Sequence, residues 1–77
     1  MTDRRETATL ADLRQSKGLT RAMLAERLGM PPNTFASIES GRRALQPAVA
    51  RAIAAELDIT AEEIQAAHQR GIDAQAG

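Results

Sequence analysis

The chain has 77 residues, with ten Lys or Arg against ten Asp or Glu, no cysteine, and Phe35 as its single aromatic residue. That length holds one domain near the lower limit for a core that stands alone, and the absence of thiols excludes disulfides and thiolate metal sites. No apolar run approaches the roughly 20 residues of a membrane span, the start MTDRRETATL lacks a signal-peptide core, and one aromatic ring makes no stacking platform for single-stranded nucleic acid, so a cytoplasmic protein outside that class of RNA binder is expected.

Residues 1–6 are polar and charged and read as a flexible arm, in which Arg4 and Arg5 serve either as DNA contacts or as a solubilising terminus. Thr7 or Thr9 can start a first helix that runs to about Ser16, buries Leu10 and Leu13, and is ended by Gly18. Thr20 caps a second helix whose Leu24, Ala25 and Leu28 share one face. Gly29 stops it, because glycine tolerates the positive φ that turns the chain sharply. After Gly29-Met30-Pro31, Pro32 suits the first position of a third helix, where its missing N–H costs nothing. Phe35 and Ile38 form the inner edge of that helix, Asn33 and Ser37 lie on its other side, and Gly41 closes the unit. Two short helices crossed at a steep angle by a glycine turn have the geometry of a helix-turn-helix, whose second helix fits the DNA major groove.

Ser40 to Ala44 is a loop, and Gln46 and Pro47 open a fourth helix with Val49, Ala50, Ile53, Ala54 and Leu57 on its apolar face. Thr60 and Glu63 form a capping box for a fifth helix from about Ala61 to Arg70, with Ile64, Ala67 and His68 turned inward. Gly71 is expected to end it and residues 72–77 to form a flexible tail, leaving one domain over 7–71. The pattern predicts an all-α fold of five short helices.

The overall charge of zero hides an uneven distribution. From Arg14 to Arg51 seven cations face only Glu26 and Glu39, a net +5, while residues 52–77 carry −4. Phosphate affinity follows local positive potential, so a basic middle with an acidic end is compatible with DNA.

The pattern L-x-x-L-R-x-x-K-G-L-T-x-x-x-L-A-x-x-L-G-M-x-x-x-T-F-x-x-I-E-x-G-R-R resembles the Cro/C1-type helix-turn-helix family of phage repressors and bacterial regulators, the XRE family, from Leu10 to Ile64. The resemblance implies a lambda-repressor-like domain that binds double-stranded operator DNA as a dimer, with the helix from Pro32 to Ser40 in the major groove. It places the base-reading positions on Pro32, Asn33 and Ser37. Arg21 stands where relatives carry a phosphate-contacting glutamine, Pro31 replaces the usual serine or threonine cap of the third helix, and Met23 occupies a position that is commonly charged.

Side-chain chemistry then assigns roles. Asn33 can present its amide to adenine N6 and N7, Ser37 can bond several bases, and Pro32 suits a thymine methyl. Arg43 can reach guanine or a phosphate, and Arg21, Ser40 and Arg42 are phosphate candidates. Arg14 and Glu39 are expected to pair where the first helix crosses the end of the third. Dimerisation is expected through the fifth helix, whose small Ala66 and Ala67 flank Ile64. No paired carboxylates, phosphate-binding glycine loop or metal-ligand cluster points to an enzyme, a cofactor or a small-molecule ligand, and His68 stands alone. The competing function class is a protein-interaction module, an antitoxin or antiactivator, on the same fold.

Overall fold

The computed structural model describes residues 8–76, so the expected arm with Arg4 and Arg5, and Thr7 as a cap, lie outside the described residues. Five helices follow in order: α1 (Leu10–Ser16), α2 (Arg21–Leu28), α3 (Pro32–Glu39), α4 (Pro47–Leu57) and α5 (Ala61–Ala76).

Each start has a local cause. Thr9 Oγ1 accepts from the Asp12 amide at 3.3 Å while the Asp12 carboxylate accepts from the Thr9 amide at 3.0 Å, a reciprocal box that fixes α1. Thr20 Oγ1 accepts from the Met23 amide at 3.1 Å and fixes α2. At the end of α2, Gly29 is left-handed with φ 71°, and the amides of Gly29 and Met30 donate back to the carbonyls of Glu26 and Ala25. The chain therefore leaves α2 and re-enters a helix at Pro32 within three residues. No side chain caps α3, and Pro31 and Pro32 bring no amide donors to that end. Asp58 ends α4 in the left-handed region at φ 56°, a conformation that a short polar side chain tolerates better than most.

The core forms where these helices meet. Leu24, Phe35, Ile53, Leu57 and Ile64 are fully buried, and Leu10, Leu19, Ile38, Leu45 and Ala67 pack around them. Complete burial of a side chain of this size contributes about 2–3 kcal/mol, so α2, α3 and α4 are held to one another mainly through Leu24, Phe35 and Ile53. Leu13, expected inside, lies half-buried at the edge, and the deeper place on α1 is taken by Arg14.

The fifth helix departs from the sequence expectation. It does not end at Gly71 but continues to Ala76, so residues 72–76 are helix rather than a loose tail. The reason is packing. Gly71 is buried where α5 passes the end of α3, and a Cβ there would lie 3.7 Å from the Glu39 carbonyl oxygen and 4.0 Å from Thr9 Cβ. The next residue, Ile72, closes over Gly41 so tightly that a Cβ on Gly41 would stand 2.6 Å from Ile72 Cγ1. Glycine at 71 thus permits a close approach inside a helix instead of stopping one. Arg70 fastens the same helix to the start of the domain by donating from Nη1 to the Ala8 carbonyl at 3.0 Å.

Candidate nucleic-acid interface

The exposed side of α3 is set by the burial of its other side. Because Phe35 and Ile38 point into the core, Asn33, Ala36, Ser37 and Ser40 fall on the opposite stripe at helical spacing. With Arg21 from α2 and Arg42 from the following loop they line a shallow concavity of about 370 Å³. Five of the sequence candidates are therefore brought together: Arg21, Asn33, Ser37, Ser40 and Arg42. Pro32 and Arg43 are exposed but lie outside the concavity, at the two ends of the helix. Ala36 was not anticipated, although its place three residues after Asn33 puts it on the same stripe.

Hydrogen bonding divides these groups by what they can still offer. The Asn33 amide is exposed and makes no hydrogen bond among the described residues. Ser37 Oγ donates to the Asn33 carbonyl at 3.1 Å, and Ser40 Oγ donates to the Ser37 carbonyl at 3.1 Å. A hydroxyl has one proton, so each serine can only accept from a ligand while these bonds are kept, and a rotation that gives the bond up restores the donor. A phosphate oxygen only accepts, so the expected contact at Ser40 requires its proton to turn from the Ser37 carbonyl to the phosphate. Ser37, while it keeps its bond, offers a narrower choice than the several bases expected of it.

The cations are held differently from one another. Arg14 donates from Nε to Glu39 Oε2 at 2.7 Å and from Nη1 to the Leu19 carbonyl at 2.8 Å, with only 7% of the arginine side chain and 5% of the glutamate side chain exposed. Its donors are split between two acceptors rather than paired on one carboxylate. The second carboxylate oxygen of Glu39 takes Arg21 Nε at 3.3 Å, and Arg21 is 53% exposed. One negative charge thus lies between a buried and an exposed guanidinium, and a net positive charge remains at the rim of the concavity. Arg42 and Arg43 are exposed and form no ion pair among the described residues. The Arg43 amide donates to the Ser37 carbonyl at 3.1 Å, and Gly41 at φ 85° turns the chain, so both arginines follow directly from the end of α3. A further pair, Arg27 with Glu56 at 3.4 Å, joins α2 to α4 on the surface and was not foreseen.

The structure takes two residues out of the surface expected for dimerisation. Ile64 and Ala67 are fully buried in the chain's own core, and of the three residues named on α5 only Ala66 faces outward. The outward face of α5 also carries Ala74 and the polar or acidic Glu62, Gln65, Gln69 and Asp73. Met23 is the one large hydrophobic residue exposed among the described residues, at 41%. No described helix is long and apolar enough to cross a membrane.

This geometry, a capped helix, a left-handed glycine and a second helix with a polar outer stripe beside surplus arginines, is that of a helix-turn-helix. A family model described as a helix-turn-helix domain matches residues 7–67, and the chain belongs to that family. Neither the curated proteins nor the solved structures contain a match to the chain. The class so defined is an all-α DNA-binding domain with α2 and α3 as its helix-turn-helix unit.

Proposed function

We propose that the chain is a sequence-specific transcriptional regulator of the Cro/C1 type, acting as a repressor by occupying a pseudo-palindromic operator as a homodimer. The observation that carries this is the stripe on α3, where an unengaged amide at Asn33 lies beside Arg21 and Arg42. Inserted into the major groove, α3 brings Pro32, Asn33 and Ser37 to base edges, while Arg21, Arg42 and Arg43 reach the flanking phosphates. One such helix spans only a few base pairs. Two copies related by a two-fold axis, with their α3 helices roughly 34 Å apart, read two half-sites one turn apart and multiply the selectivity.

The arginines give affinity and the helix gives choice. Each neutralised phosphate releases condensed counterions, so binding weakens as salt rises, whereas contacts to base edges separate one sequence from another. A polarisation titration of the chain against double-stranded DNA from the promoter of its own gene, at several salt concentrations, tests the proposal. The expected result is binding tighter than to random duplex, with a salt slope of several units. Equal, weak binding to both duplexes contradicts it and favours the protein-interaction function, in which exposed Met23 belongs to a protein contact.

A further inference from the structure

The hydrogen-bond inventory of α3 narrows the DNA it can select. Over Pro32–Glu39 the helix carries no lysine or arginine, and its one charged residue, Glu39, is buried against Arg14. The bidentate donor pair that reads guanine O6 and N7 is therefore missing from the helix. What remains points elsewhere. Asn33 has both a donor and an acceptor free, the combination that matches adenine N7 and N6. On guanine the same amide would set its carbonyl oxygen against O6, an acceptor against an acceptor. Ser37 donates its proton to the Asn33 carbonyl at 3.1 Å and, while that bond is kept, accepts from a ligand, which suits a base bearing an exocyclic amino group, adenine or cytosine. Pro32 is exposed at the first helical position and brings no amide donor, so it meets a base edge through carbon alone. In the major groove the apolar group on a base edge is the thymine methyl.

From these three residues we infer that α3 selects A·T pairs at two positions of each half-site, a thymine recognised by its methyl at Pro32 and an adenine at Asn33, beside an amino-bearing base, adenine or cytosine, at Ser37, with guanine discriminated against at the Asn33 position. The inference rests on the proposed DNA-binding function and specifies its ligand. It assigns to the Ser37 to Asn33 hydrogen bond a part in specificity, because that bond decides which way the hydroxyl can be used.

The test leaves the protein untouched. The full chain is used to select duplexes from a random library, and the enriched site is then resynthesised with single-atom-group changes in the DNA. Replacing the assigned thymine by deoxyuridine removes one methyl and is expected to weaken binding about fourfold, the equivalent of one buried methyl group. Replacing the assigned adenine by the purine that lacks the 6-amino group is expected to weaken it about tenfold or more, since Asn33 loses one of its two bonds. A selected half-site with guanine at the Asn33 position, or full binding to both modified duplexes, overturns the inference while sustaining the proposed function. Binding without enrichment of any sequence overturns the proposed function itself, and the inference with it.

Discussion

Removing the Glu39 carboxylate is the sharpest perturbation of the fold. In Glu39→Ala the Arg14 guanidinium stays in a site where 7% of its side chain is exposed, and it keeps only the Leu19 carbonyl at 2.8 Å as a partner. Breaking one side of a buried pair in this way costs about 3–5 kcal/mol, because the remaining charge is stranded away from water. A domain of 77 residues has a total stability of roughly 4–12 kcal/mol, so the loss is a large share of it. At about 4–8 °C per kcal/mol the melting temperature should fall by roughly 12 °C or more. Arg21→Ala removes the other partner of the same carboxylate, but from a side chain 53% exposed, and should cost no more than about 1 kcal/mol. Thermal unfolding of the two variants by circular dichroism separates the cases. A Glu39→Ala variant melting within about 2 °C of the parent would refute the argument that Arg14 depends on this carboxylate, and equal losses in both variants would refute the division into buried and exposed partners.

Three further outcomes follow from single contacts. Gly41→Ala should lower the unfolding free energy by about 1–2 kcal/mol from the backbone at φ 85° alone, and by more because the new Cβ meets Ile72 Cγ1 at 2.6 Å; an unchanged denaturation midpoint would count against the close packing of α5 on this turn. Truncation after Gly71 removes Ile72 and should also destabilise the domain, measured in the same denaturant series, whereas a tail without packing would be dispensable. His68 is buried, and its Nε2 has no hydrogen-bond partner among the described residues, so His68→Leu should leave stability unchanged or raise it; a loss above about 1 kcal/mol would show that the imidazole makes a contact the apolar side chain cannot replace.

The helices and their order were legible because each carries its own start signal: Thr9, Thr20, Pro32, Pro47 and Thr60 all stand at or beside an observed helix start. The exit at Gly29 was equally plain, since the left-handed turn is a local demand. Gly71 looked like the same signal and was not. A glycine that stops a helix and one that lets a neighbouring chain come close are identical in sequence, and only the approach of Thr9 and Glu39 tells them apart. The stripe of Asn33 and Ser37 could be placed from periodicity, and so could the meeting of Arg14 with Glu39. The division of Glu39 between Arg14 and Arg21, and the inward use of the Ser37 and Ser40 protons, could not. They depend on the crossing of α1, α2 and α3 and on rotamer choice, which one-dimensional spacing does not contain. Two residues expected in a dimer surface went to the core for a related reason: Ile64 and Ala67 are apolar because the chain's own core needs them, and an apolar stripe does not announce which partner covers it.

The central claim is that α3 chooses among DNA sequences while the adjacent arginines hold any duplex, and one paired measurement tests it. On the selected duplex and on random duplex, affinities of Asn33→Ala and Arg42→Ala are determined across a salt series. Asn33→Ala should lose about 1–3 kcal/mol on the selected site and much less on random DNA. Arg42→Ala should weaken both nearly alike and reduce the slope of log affinity against log salt by about 1, because one fewer phosphate is neutralised. An Asn33→Ala variant that binds both duplexes as the parent does would contradict the account, since the exposed stripe of α3 would then play no part in choosing DNA.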